Sequence, residues 1–187
     1  MNTALTWHST VQMIREDFLR YTGARNRSIF IFLMKYFHNP GMSFSVWYRV
    51  IRFLIYHKFM MVRMLGMLLY PIYFFVTYYI FDYHIEPEVD IAGGLFLHNR
   101  SVVITNNTVI GKNASIMGQV TIGTGFETND FDIRIGDNIQ IGAGAKIIGK
   151  GTLHIVSNVT IGANAVVVKD ILKSGVYAGV PVKRISK

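Results

Sequence analysis

The 187-residue chain contains no cysteine, which excludes disulfides, thiolate metal sites and a cysteine nucleophile, although it leaves the compartment open. Acidic residues are scarce at the start: residues 1 to 63 carry nine Lys or Arg against only Glu16 and Asp17, a net of +7. The remainder carries ten against nine, a net of +1. A basic segment asks for an acidic partner. The residues interleaved with these charges are Phe, Tyr, Met, Leu and Ile, which favours an anionic membrane face over nucleic acid. From Met64 to Phe81 no charge occurs across eighteen positions, the length at which a transmembrane helix enters consideration. Pro71, the tyrosines at 70, 73, 78 and 79 and the basic residues upstream suit an interface. The expected arrangement is therefore a helix lying in the membrane plane, with a few of Arg49, Arg52, Lys58 and Arg63 toward the headgroups. A buried helix and a true span are the alternatives. The opening MNTALTWHSTVQMIRED has no charged-then-apolar pattern, so secretion is not expected.

The chain has two grammars. Val11, Ile14, Phe18 and Tyr21 recur at helical spacing; two further apolar segments, 29 to 37 and 44 to 62, flank the turn signal HNPG. From Ile85 the period changes to six: Ile85, Ile91 and Leu97; then Ile104, Ile110, Ile116 and Ile122; then Ile135, Ile141 and Ile147; then Ile155, Ile161 and Val167. Residues six apart fall about 120° apart around a helix and share no face, so this period predicts a solenoid of short strands in which each aliphatic residue points inward at an equivalent site, with three hexads to a triangular coil. Ala114, Val120, Ala145 and Ala165 complete the hexad as its second inward residue. Gly111, Gly123, Gly136, Gly142 and Gly162, with Asn106, Asn113, Asn138 and Asn164, are expected at turns that need positive φ. The fold class is mainly β: a parallel β-helix over 85–187, preceded by a helical, basic and apolar membrane-associating region over 1–84.

The segments IGKNASI, QVTIG, IGAGAKIIG and VYAGVPVKRI resemble the left-handed β-helix of the hexapeptide-repeat acyltransferase superfamily. The NPG segment followed by a basic helix resembles its serine acetyltransferase-like branch that modifies capsular and exopolysaccharides. The resemblance implies a homotrimer, acetyl-CoA as co-substrate in a groove between neighbouring β-helices, and no metal. Clustered histidines as in β-helix carbonic anhydrases are not matched.

Acetyl transfer to a hydroxyl needs a base, and His98, between GLFL and VVI, stands where the resemblance puts a catalytic histidine on a bulged turn. Leu97 to Ile104 is seven residues rather than six, as a bulge requires. Aligned from the left, Asn99 would take that slot. The orienting acid is expected just before an Ile-His-Pro motif, but the chain reads YHIEP, with His84 and Glu86 exchanged. Residues 82, 84 and 86 of an extended strand share a side, so Glu86 or Asp82 could reach His98, with His84 assisting or binding the acceptor. In the interruption after Ile122, Glu127, Asp130, Asp132 and Arg134 could meet acceptor hydroxyls, as could Asn99 and Arg100. The resemblance places acetyl-CoA on Gly142, Ala143, Gly162, Ala163, Gly179 and Pro181, with Lys183 and Arg184 for its phosphates. The expected activity is O-acetylation of a sugar hydroxyl of a polysaccharide or its lipid-linked precursor, at the cytoplasmic face of a bacterial inner membrane. Serine O-acetylation and an inactive membrane-tethered scaffold are the alternatives.

Overall fold

The computed structural model describes residues 5–23, 28–124 and 131–186. Helices occupy the chain up to Phe81. The first, α1, runs Trp7–Thr22 behind a reciprocal cap between Thr6 and Ser9. Next come α2, Ile29–His38, and α3, Pro40–Ile55. Asn39 starts α3 by accepting from the Gly41 and Met42 amides, with Pro40 at the first helical position. Finally α4, Met60–Phe75, continues as a π-helix through Val76–Phe81 and stops at Asp82, which adopts a left-handed φ of 56°.

From Tyr83 onward the chain is a left-handed parallel β-helix. Its strands stack into three sheets: sheet A holds Tyr83–Ile85, Val102–Ile104, Thr121–Thr124, Lys146–Gly149 and Val166–Val167; sheet B holds Asp90–Ile91, Thr108–Ile110, Asp132–Ile135 and Thr152–Ile155. Sheet C runs from Phe96–Leu97 through Ser115–Ile116, Gln140–Ile141 and Val159–Ile161 to Gly175–Ala178, where Lys183–Ser186 joins antiparallel. The period of six sets the register. Ile85 pairs with Ile104, which pairs with Ile122, then Ile147 and Val167. Ile91 leads to Ile110, Ile135 and Ile155; Leu97 leads to Ile116, Ile141 and Ile161. All are buried in one core.

Two details differ from the sequence reading. Positive φ falls on Asn107, Asn113, Asn138, Asn158 and Asn164, so Asn107 takes the place expected for Asn106. Asn113, Asn138 and Asn158 then form a ladder of side-chain hydrogen bonds of 3.0 and 3.1 Å down one corner. Gly111, Gly123, Gly136, Gly142 and Gly162 are absent from the positive-φ set; they are small because the next coil passes close. A Cβ on Gly142 would lie 2.5 Å from the Ala163 amide nitrogen.

The first coil has no coil above it, so its backbone edge needs other partners. Side chains of the helices supply them. Tyr73 donates to the Ile85 carbonyl at 2.8 Å, Arg52 to Pro87 at 3.1 Å and Tyr48 to Val89 at 2.5 Å. Arg49 donates to the carbonyls of Ile91 and Ala92, while Asp17 accepts from the amides of Gly94 and Leu95, both at 2.8 Å. Tyr21 accepts from the Leu97 amide and donates to its carbonyl. At the centre Arg49 and Asp17 pair at 3.1 Å, their side chains 1% and 0% exposed.

This network explains two further corrections. The buried face of α1 is Thr10, Asp17, Phe18 and Tyr21, not the purely apolar stripe through Val11, because Asp17 must reach the coil. Arg49 and Arg52 do not face lipid: one is buried on Asp17 and the other pairs with Asp90 at 2.9 Å. Segment 64–81 is neither fully buried nor free. Gly66, Tyr73 and Thr77 face inward, whereas most of its large apolar side chains are exposed.

Removing one member of a buried ion pair strands the other charge, at a cost of roughly 3–5 kcal/mol. Asp17→Ala is therefore expected to lower unfolding stability by about that amount in urea titration, and Asp17→Leu/Arg49→Met to stay destabilised, because the Ile91 and Ala92 carbonyls and the Gly94 and Leu95 amides lose their partners. A change below about 1 kcal/mol would contradict the role given to the pair.

Candidate active site

His98 follows the sheet C strand Phe96–Leu97 and opens the turn that leads into the sheet A strand Val102–Ile104. That turn, 98–101, holds one residue more than its counterpart 117–119 in the next coil, as shown by Leu97 pairing with Ile116 and Val103 with Thr121. The ring is exposed but held. Its Nε2 lies 2.8 Å from Ser115 Oγ in the next coil, and the ring meets Phe96 edge-on with centroids 4.3 Å apart. Phe96 packs at 4.4 Å on Tyr21, the side chain that grips both backbone groups of Leu97. Helix α1 thus fixes the strand that presents the histidine.

Surrounding atoms and then the Arg20 cation push the His98 pKa below its ordinary value. The imidazole is accordingly neutral near pH 7 and available as a proton acceptor. Among the described residues no carboxylate forms an ion pair with it.

The fold separates the two expected carboxylates. The backbone carbonyl of Asp82 accepts from Ser101, placing it beside the His98 turn, but its carboxylate lies 3.5 Å from His84 Nε2. His84 is also stacked on Tyr78 at 3.9 Å. Glu86 ends the same strand at the opposite corner of sheet A, near Asn106 and Glu88, where burial and then Glu88 raise its pKa. The structure therefore does not bring Glu86 to His98, because the corners stand a strand apart. Arg134 is carried to sheet B, where it binds Asp132 at 2.7 Å. Glu127 and Asp130 lie outside the described residues. Asn99 and Arg100 are exposed in the His98 turn itself.

The cofactor candidates converge. Between sheets C and A, the residues following the paired aliphatics are His98, Met117, Gly142 and Gly162, each linked to the coil below through its amide: His98 to Ile116, Met117 to Ile141, Gly142 to Ile161 and Gly162 to Tyr177. Ala143 and Ala163 occupy the same corner. Gly179 and Pro181 close its far end, since the Val166 amide donates to Gly179 and the Val182 amide to Val166. Small residues thus line this corner from Gly162 to Gly142, Met117 follows in the next coil, and His98 stands about 14 Å from Gly162 over three coil spacings. Lys183 and Arg184 lie on the antiparallel end strand, where Arg184 donates to the Ser174 carbonyl at 2.6 Å.

Ser115 and Arg20 were missed in the sequence. Ser115 was accessible in principle, because the Leu97–Ile116 register places it beside Phe96. Arg20 was not, since its approach depends on how α1 packs.

No family model matches the chain. It is 36% identical to the serine acetyltransferase of Haemophilus influenzae over 109 residues, 57% of this chain and 40% of that protein. With the serine acetyltransferase of Staphylococcus aureus it shares 41% over 99 residues, 52% of this chain and 46% of that one. The match therefore spans less than half the length of these relatives. In three dimensions, the serine acetyltransferase of Neisseria gonorrhoeae in complex with serine superposes over 94% of this chain and 69% of its own, with a TM-score of 0.75 and 27% identity. A serine acetyltransferase in complex with CoA covers 96% of this chain and 71% of its own, at 0.72 and 25%.

The chain has the fold and repeat of the hexapeptide-repeat acyltransferase superfamily. The relatives are serine acetyltransferases, which overturns the expectation of a polysaccharide enzyme. The feature behind that expectation is structural: Asn39 of the NPG segment caps α3, and two basic residues of α3 secure the first coil.

The His98 environment is open to direct test. Its ring should titrate by NMR below the ordinary imidazole value of about 6.5, and Arg20→Gln should move the midpoint upward by removing a cation that opposes protonation. An unchanged midpoint would remove Arg20 from the site.

Proposed function

We propose that this chain is an acetyl-CoA-dependent serine O-acetyltransferase. The observation carrying this reading is the likeness to a serine-bound serine acetyltransferase over 94% of the chain, together with a histidine held by Ser115 on the corner that carries Gly142 and Gly162.

Acetyl-CoA lies along Gly142, Ala143, Gly162 and Ala163, where a larger side chain would push the pantetheine off the coil. Gly179 and Pro181 bound this track, and Lys183 and Arg184 oppose the phosphates. The thioester then reaches the His98 turn. Serine is held with its carboxylate toward Arg100, whose planar guanidinium suits that group, and Asn99 beside it. His98 accepts the proton of the serine hydroxyl as the oxygen attacks the thioester carbonyl. The new C–O bond forms, the C–S bond breaks, and His98 returns the proton to the departing thiolate, giving O-acetylserine and free CoA. Ser115 Oγ steadies the ring by accepting from Nε2–H at 2.8 Å, which leaves Nδ1 bare to take the hydroxyl proton. The His84–Asp82 pair lies on the adjoining sheet A and orients the acceptor. Three copies assemble side by side around a shared threefold axis, and a neighbour supplies the second wall of the corner left open on the single chain.

Incubation of the full chain with acetyl-CoA and L-serine should release CoA thiol and form O-acetylserine, detected by mass spectrometry. His98→Ala should lower turnover by on the order of a hundredfold with CoA affinity retained, and Arg100→Gln should raise the KM for serine more than it lowers kcat. Near-normal turnover of His98→Ala would move the base to His84. CoA binding without transfer to serine would overturn the reading in favour of an inactive scaffold.

A further inference from the structure

We infer that the outer face of α4 and its π-helical extension is a docking surface for an anionic lipid bilayer, on which the protein lies with this helix in the membrane plane. The inference goes beyond acetyl transfer and does not depend on it.

Helical spacing gives α4 two faces. The inner one, Gly66, Tyr73 and Thr77, is buried. The outer one presents Met61 at 84% exposure, Leu68 at 73% and Tyr79 at 73%, with Met64, Ile72 and Phe75 between them. Met60–Phe81 is long and apolar enough to cross a membrane, yet only 17% of its most apolar stretch is buried. An unpartnered apolar surface of this extent marks an interaction site.

The packing of the inner face decides between lying and spanning. A Cβ on Gly66 would come within 2.9 Å of Leu54 and Ile55 in α3. Nearer the other end, the Tyr73 hydroxyl donates to the Ile85 carbonyl at 2.8 Å and Tyr78 stacks on His84. The helix is thus fixed at successive turns to α3 and the first coil, with its polar partners alongside. A span would drag those groups into hydrocarbon, whereas a helix with one face on protein and the other on lipid fits the interface.

Charge selects the occupant. From Phe18 to Phe81 the sequence holds no Asp or Glu. Arg49 and Arg52 are consumed by Asp17 and Asp90, but Lys58 and Arg63 flank the start of α4, and Lys58 rests on the exposed Phe59 ring. Helix α2, which packs on α3 and α1, is built alike: it has no buried residue, exposes Phe30 and Phe37, and carries Lys35 in its last turn. Apposing this surface to a second copy would set cations against cations. Anionic headgroups complement them.

The test is flotation of the full chain with vesicles of phosphatidylcholine alone or with phosphatidylglycerol. Anionic vesicles should bind it at least about fivefold more tightly than neutral ones, the effect of one basic side chain near the surface. Salt should weaken binding without abolishing it, because apolar insertion is not screened. Met61→Glu/Leu68→Glu should lower binding at least about tenfold by placing two charges on the lipid face, with circular dichroism unchanged, and Leu172→Glu, on the β-helix, should leave it as it was. Failure to float on anionic vesicles at low salt would overturn the inference. If Met61→Glu/Leu68→Glu also dissociated a larger assembly in analytical ultracentrifugation, the face would belong to a second copy.

Discussion

The open edge of the first coil is the constraint on which this protein is built. A β-helix satisfies its own backbone everywhere except at its ends, where carbonyls and amides are left over. Here the helices close one end with side chains rather than with another strand. Tyr73, Arg52, Tyr48, Arg49, Asp17 and Tyr21 each bond backbone groups between Ile85 and Leu97. The buried Arg49–Asp17 pair is costly to desolvate, and its arrangement meets that cost with further hydrogen bonds: Asp17 accepts from Ser45 and two amides, while Arg49 reaches two carbonyls. The helical region and the β-helix consequently share one core, in which Phe44, Tyr48, Ile51 and Tyr73 pack with the aliphatic columns.

The same cap reaches the chemistry. Tyr21 grips Leu97 and packs on Phe96, and His98 follows directly, its ring against Phe96 and its Nε2 on Ser115. A change in how α1 sits on the coil would therefore move the histidine. On the coil side the small residues at the same corner have a double effect. They let successive coils approach within contact distance, as at Gly142 against Ala163, and they leave the corner open up to Met117, one coil from His98.

The period of six makes the β-helix legible in the sequence: the strand register pairs the same aliphatic residues that define the repeat, including across the interruption between Ile122 and Ile135. The extra residue in the His98 turn was equally readable from Leu97 to Ile104. Relations between corners were not. Glu86 and His98 are close in sequence pattern, yet one ends a sheet A strand and the other precedes the next one. Nor did sequence reveal that Arg49, Arg52 and Asp17 are structural, since a basic helix reads alike whether its charges face lipid or meet a buried partner. The expectation of a sugar acceptor rests on that basic helix, whereas the relatives are serine acetyltransferases. Positive φ at Asn107 rather than Asn106 is the usual one-residue uncertainty of a turn.

The proposed cofactor track and the proposed base meet at one point, the place where the thioester sulfur stops. A crystal structure of the full chain with CoA measures it directly. The expected result is pantetheine running along Gly162 and Gly142, with the thiol beside the His98 ring and the phosphates toward Lys183. CoA bound on another corner, or with its thiol a coil or more away from His98, would contradict the account.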